Sequence, residues 1–186
     1  MEAAVAIAFS ILTALTAPSL DTPPDKVIAE ARAARVAHRG AVSNRSVFAI
    51  VDYDVSWRQE RLWVLDAKTQ RVVFAAHVRH AAASNDAATG RAVSCSNVPG
   101  SLQSSAGAFV TDLRPYAGHY GRSLRVRGLD RGINDNAFAR DIVIHPAGRL
   151  TFSAGCFMVP DAEADATIDH LAGGVFVYVH GCSGRA

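Results

Sequence analysis

Short apolar runs bounded by turn residues fill the chain from residue 46 onward, and they restrict it to a fold built mainly of strands. Residues 47–55, 61–66 and 71–78 are rich in Val, Phe, Ile and Trp, and Ala67-Lys68-Thr69-Gln70 supplies a hairpin turn between the second and third. Trp63 on its strand reads as core. Further short strands are predicted at residues 108–111, 123–127, 141–145 and 175–180. Residues 81–105 break the pattern with Ser, Asn, Ala and Gly and a Pro99-Gly100 turn, and a loop of that length is usually functional or mobile. Two helical patterns complete the picture. Val27, Ile28, Ala31 and Ala34 share one face between a cap at Asp21-Thr22-Pro23-Pro24 and a stop at Gly40, with Arg32, Arg35 and His38 read as the solvated face. After Pro160, helical spacing returns at Ala164, Ile168, Leu171 and Ala172, with Asp161 and Glu163 at the favourable end and Gly173-Gly174 as the stop. The expected fold class is mainly β (α+β). A leading helix and linker span residues 20–45, and one domain spans residues 46–186.

With 186 residues, 49% of them hydrophobic, the chain supports one domain with a packed core. A formal charge of +2 gives no ground for a nucleic-acid partner. Residues 1–19 look like an export signal: Val5, Ile7, Phe9, Ile11, Leu12 and Leu15 form an apolar stretch with no charge after Glu2. The stretch is short against the roughly 20 apolar residues a membrane-spanning helix needs. It lacks a basic start and a clean A-x-A site before Pro18, so retention as a membrane tether stays open. The expected location is outside the cytoplasm, in the periplasm or cell envelope. Three cysteines are too few for a disulfide scaffold, and an odd count leaves at least one unpaired or bonded between molecules. A Cys95–Cys182 bridge leaving Cys156 free satisfies that arithmetic. Cys and His do not occur as C-x-x-C or H-x-x-x-H pairs, so a structural zinc site has no local support.

The apolar run at 141–145 ends in His145, and Ser153-Ala154-Gly155-Cys156 follows, with Cys156 eleven positions after His145. That interval allows a loop to return and bring the two side chains together. A thiol needs a neighbouring base or positive charge to react, because the thiolate is the nucleophile. Gly155 permits close backbone approach, so amides around Cys156 can serve a developing oxyanion. On these residues alone, a buried cysteine and a strand-end histidine without chemistry are the simpler account.

Between residues 47 and 178 the chain resembles the murein L,D-transpeptidase catalytic-domain family, in its branch with a short S-x-G-C motif. The matching stretches run in order from Arg61-Leu62-Trp63-Val64-Leu65-Asp66 through Ser96-Asn97-Val98-Pro99-Gly100-Ser101 to Ser104-Ser105-Ala106-Gly107. His119-Tyr120-Gly121, Ser123-Leu124, Gly132-Ile133-Asn134-Asp135-Asn136, residues 140–145 and residues 153–156 complete them. The resemblance implies an L,D-transpeptidase-like β-sandwich with one helix after the catalytic cysteine. It implies Cys156 as nucleophile, His145 as general base, and Ser153, Ala154 and Gly155 as the loop shaping the oxyanion site. Its substrates would be peptidoglycan stem peptides, attacked at the carbonyl of the third residue, commonly meso-diaminopimelate, with loss of terminal D-alanine. The thioester would pass to an amine of another stem or to water, and carbapenems acylate the cysteine of this family. No metal or organic cofactor is implied.

The chain departs from that branch at Phe157-Met158, where a Pro-Ala pair is usual, at Pro146, where Gly is usual, and in its shortened His145-to-Cys156 interval. An L,D-carboxypeptidase or other hydrolase acting on the same bond, and an inactive wall-binding domain, are therefore the alternatives. His119, Arg140 and His80 are candidate substrate-binding residues, Arg140 because guanidinium binds carboxylates in a bidentate way. The competing account pairs Arg140 with Asp135 or Asp141. Asn97, Ser104, Asn134 and Asn136 are expected to order loops through side-chain to backbone bonds. Val179-His180-Gly181-Cys182 offers a second His-Gly-Cys motif, but four residues follow it and no histidine lies 14 to 17 positions before Cys182. Cys182 is thus read as a structural thiol.

Overall fold

In the computed structural model, which describes residues 21–182, helix α1 (Asp25–Ala37) leads into β1 (Asn44–Asp52). β2 (Leu62–Asp66) and β3 (Val72–Ala76) follow as a hairpin. Then come a 3-10 turn (Ala82–Ser84), β4 (Gly107–Thr111), β5 (Tyr116–Gly118) and β6 (Gly121–Gly128). β7 (Val143–Pro146), β8 (Phe157–Val159), α2 (Asp161–Leu171) and β9 (Val175–His180) complete the chain. The signal-like segment expected at residues 1–19 lies outside the described residues. No helix of the described residues is long and apolar enough to cross a membrane.

The strands form one nine-stranded hydrogen-bonded sheet in the order β3-β2-β1-β9-β4-β6-β7-β8, with β5 added against β6. Neighbours are antiparallel except β1 with β9 and β7 with β8. Alternation along β1 divides the core. Phe48 and Ile50 face one way, under Val27 and Ala31 of α1, together with Trp63, Leu65 and Phe176. Ala49 and Val51 face the other way, into a larger core shared with Val64, Phe109, Leu124, Ile144 and Phe157 and closed by Ala164, Ile168 and Leu171 of α2. Phe109 of β4 and Phe157 of β8 stand three strand steps apart along the sheet, about 14 Å if it were flat. Their rings meet edge-to-face at 5.6 Å, so the sheet curls over its own core and the expected sandwich is made by one folded sheet.

Several expected boundaries move for local reasons. The strand predicted at 141–145 starts at Val143, because Asp141 takes a φ of +54° that no strand residue adopts. The first strand ends at Asp52, whose carboxylate accepts the Asp54 N–H and turns the chain. Strands β5 and β8 are three residues each, defined by their partners rather than by a run of their own. Pro24, not Asp21 or Thr22, occupies the α1 cap, and its carbonyl accepts the Val27 and Ile28 N–H groups. The face read as solvated also makes tertiary bonds: Arg35 donates to Arg45 O at 2.7 Å, and His38 Nε2 lies 2.8 Å from Asp130 Oδ1.

Candidate active site

Strand register brings the two sequence-predicted groups to adjacent strands. His145 lies on β7 opposite Met158 of β8, and Cys156 immediately precedes β8. Both side chains line one cavity of about 340 Å3, with Ala82, Leu102, Tyr120, Leu150, Phe152, Ser153 and Ala154 as its other walls. The buried imidazole of His145 has its Nδ1 2.7 Å from Pro146 O. A carbonyl only accepts, so Nδ1 carries the hydrogen and Nε2 is the nitrogen left to take a proton. This contact uses the backbone of residue 146, so proline there retains it. The Tyr120 ring stacks on the imidazole at 4.5 Å, and His119 lies edge-on to Tyr120 at 4.7 Å.

The Cys156 thiol donates to Asp141 O at 3.6 Å, a carbonyl placed by the left-handed backbone at Asp141. Burial pushes this thiol up from its ordinary value. The Val143 N–H and the Arg140 charge oppose the rise, and the Asp141 carboxylate adds to it. Burial likewise holds His145 below its ordinary value against the opposing Pro146 contact. Both shifts favour the neutral thiol and the neutral imidazole.

Residues 153–156 form a tight turn. Ser153 Oγ donates to Cys156 O at 2.7 Å and accepts the Gly155 N–H at 3.3 Å. The Cys156 N–H makes no hydrogen bond among the described residues. Ser153 and Gly155 thus shape the turn that carries Cys156. Gly155 sits at φ +150°, and a side chain there would run into Ile142 Cδ1.

The remaining sequence candidates have other neighbours. Arg140 makes no ion pair with Asp135 or Asp141. Its guanidinium donates to Ser96 O (2.6 Å), Ser105 Oγ (2.7 Å), Gln103 O (2.7 Å) and Ser101 Oγ (3.3 Å), which fixes the loop behind Gly155. Asp141 pairs with Arg125 instead, and Asp135 accepts from Asn97. His80 is fully buried and stands behind Phe152 rather than in the cavity wall. Its Nδ1 accepts from Arg61 Nη2 at 2.7 Å, and its Nε2 donates to Asn85 Oδ1 at 3.1 Å. Burial and the Arg61 charge depress its pKa to about 4. His119 is exposed at the cavity mouth beyond Tyr120. Asn97, Ser104, Asn134 and Asn136 make the side-chain to backbone bonds expected of them.

Cys95 and Cys182 form a disulfide with Cα atoms 5.4 Å apart, and Cys156 is the free thiol. The second His-Gly-Cys motif is therefore tied up: Cys182 in that bond and His180 Nδ1 against Glu30 Oε2 at 2.7 Å. One group among the described residues, Asp52, Asp54 and His180, has its potential ligand atoms close together. It lies at the ends of β1 and β9 and holds no part of the thiol cavity. Sequence reasoning missed Tyr120, Leu102, Leu150 and Phe152 as cavity walls. Tyr120 had a signal, its place in the matched His-Tyr-Gly segment; the other three look like ordinary apolar loop residues.

The family model described as the L,D-transpeptidase catalytic domain matches residues 23–180 and so takes in α1 as well as the sheet. No curated protein matches the chain. Similar solved structures include an L,D-transpeptidase from Mycobacterium smegmatis, 13% identical with a TM-score of 0.44, covering 73% of this chain and 59% of that one. An L,D-transpeptidase from Xylanimonas cellulosilytica is 16% identical, with a TM-score of 0.41 and coverage of 74% and 62%. L,D-transpeptidase 1 of Mycobacterium tuberculosis is 10% identical, with a TM-score of 0.43 and coverage of 73% and 62%. The chain thus spans about three fifths of the length of those chains. With most of its described residues inside the family model, the chain belongs to the L,D-transpeptidase catalytic-domain family.

Proposed function

We propose that the protein is an exported cysteine L,D-transpeptidase that acts on peptidoglycan stem peptides through a thioester on Cys156. The observation that carries this reading is the cavity holding a free thiol and an imidazole whose Nδ1 is committed to Pro146 O. In the first half-reaction, Nε2 of His145 takes the thiol proton as sulfur attacks the carbonyl of the third stem residue. The C–S bond forms, and the Cys156 N–H donates to the resulting oxyanion. The C–N bond to terminal D-alanine then breaks, and His145 returns the proton to the departing nitrogen. In the second half-reaction an amine of another stem attacks the thioester, its proton passes to His145, and the thiol is restored. The Cys95–Cys182 bond supports export, because such bonds persist in oxidising compartments.

One observation favours hydrolysis as a second reading. Leu102, Tyr120 and Leu150 at the cavity wall are 51%, 45% and 37% exposed, so water has access to a thioester formed there. Purified protein incubated with stem tetrapeptide and followed by mass spectrometry separates the readings. Crosslinked dimers with released D-alanine are expected, and none from Cys156→Ala. Free tripeptide without dimers would make the protein an L,D-carboxypeptidase. Folded protein that releases no D-alanine at all would contradict both.

A further inference from the structure

The thiol cavity offers no permanent cation to a peptide substrate, since His145 is its one basic wall. A second cavity of about 280 Å3 shares Leu150 with it and carries Arg79 and Asp161 in its lining. Strand register explains why the two adjoin. Arg79 bridges to Met158, and Met158 pairs with His145, so the three stand in one row across neighbouring strands with side chains on the same face. Two strand spacings, about 10 Å, separate the backbones of Arg79 and His145, a gap that a guanidinium at one end and a substrate at the other readily span.

Arg79 is held but not neutralised. Its guanidinium lies over the Trp57 ring at 4.1 Å and donates through Nη1 to Thr151 O at 2.8 Å, and it makes no ion pair among the described residues. Asp161 spends Oδ1 on the Gly148 N–H at 2.7 Å, while Oδ2 makes no hydrogen bond among the described residues. The cavity beside the thiol therefore presents one uncommitted cation and one carboxylate oxygen. That pairing matches the two charges of an α-amino acid.

We propose that this second cavity is the subsite for the α-amino acid group that leaves and enters the thiol site, with Arg79 binding its carboxylate. The inference rests on the transfer reading above and names the chemistry that reading leaves open. When the C–N bond breaks, the departing D-alanine carries a free carboxylate one carbon from the nitrogen that receives the His145 proton. Asp161 is complementary to the ammonium that this amine becomes in water. An attacking amine occupies the leaving group's position in reverse, and the amine of a diaminopimelate centre again has a carboxylate one carbon away. One carboxylate subsite serves both half-reactions, and it restricts cleavage to a chain terminus.

The test compares two donors on the full, unreduced protein: a stem tetrapeptide ending in D-alanine and the same peptide ending in D-alaninamide. The wild type is expected to use the acid about tenfold better or more, because an unmet guanidinium is left when the carboxylate is absent. Arg79→Gln, which retains a donor for Thr151 O, is expected to raise KM for the acid and so to narrow the preference for acid over amide. Arg79→Lys is expected to recover part of the preference. Equal use of acid and amide by the wild type would overturn the subsite. So would an Arg79→Gln loss of the same factor on both donors, the result of a role limited to holding Thr151. If the wild type consumes neither donor and Cys156 gains no acyl mass, the transfer reading itself fails and this inference falls with it.

Discussion

Gly155 fixes the backbone immediately before Cys156. A Cβ at this position would strike Ile142 Cδ1 and sit 3.3 Å from both Arg140 Nη2 and Gln103 O. Ile142 is buried in the main core, and φ at Gly155 is +150°, so neither the neighbour nor the backbone gives way cheaply. Gly155→Ala is expected to cost about 1–3 kcal/mol of stability, as overpacking does, and to lower kcat/KM by at least about tenfold through a displaced Cys156. Urea unfolding beside initial rates checks both. His80 sets a pH dependence with a defined sign. Its folded pKa is about 4 against an ordinary 6.5, so between those values the unfolded chain binds the extra proton. Stability from this group is complete above pH 6.5 and falls as pH drops, by about 3 kcal/mol at pH 4. Urea titrations at neutral pH and at acid pH are expected to show this fall in the wild type and a smaller one in His80→Gln. Identical slopes for the two proteins would assign the acid loss to other groups.

The loop between the 3-10 turn and β4 is the element on which the cavity depends. Cys95 anchors it to Cys182 beyond β9, Cys95 bridges to Ser104, and Arg140 grips residues on both sides of Leu102. Leu102 itself is held at φ +55°, half exposed against the thiol cavity. The disulfide closes a separation of 87 residues, so removing it is expected to cost about 2–4 kcal/mol. The Cys95→Ser, Cys182→Ser double variant should therefore unfold at lower urea and acylate more slowly, with Cys156 still titratable. Unchanged acylation would show that the loop holds its shape without the staple. Much of this scaffold was legible in residue pattern: the apolar runs marked β1 to β4, and Ala164, Ile168 and Leu171 marked α2. Strands β5 and β8 were not, because three residues carry no periodicity and only their pairing makes them strands. The same limit applied to side chains. Arg140 and His80 could be picked out by type, but only packing reveals that carbonyls and hydroxyls absorb the guanidinium and that Arg61 meets the imidazole.

At the scale of the molecule, the curled sheet makes the edge that carries His145 and Cys156 part of the main core. Phe157, next after Cys156, packs on Phe109, and Ile144, next before His145, lies in the same cluster. Of the departures from the family's usual pair, Phe157 is therefore a core residue, while Met158 is buried on the face it shares with His145, and neither lines the thiol cavity. His145 and Cys156 were legible as a pair once the ordered motifs were set beside the family. Their shared cavity, and the walls contributed by Tyr120 and Phe152, required the fold. The central claim is that this fold activates Cys156, and intact mass after incubation with a carbapenem tests it most directly. One adduct per chain is expected, absent from Cys156→Ala and slowed in His145→Asn. A folded protein with a titratable thiol and no adduct, or an adduct that persists in Cys156→Ala, would contradict it.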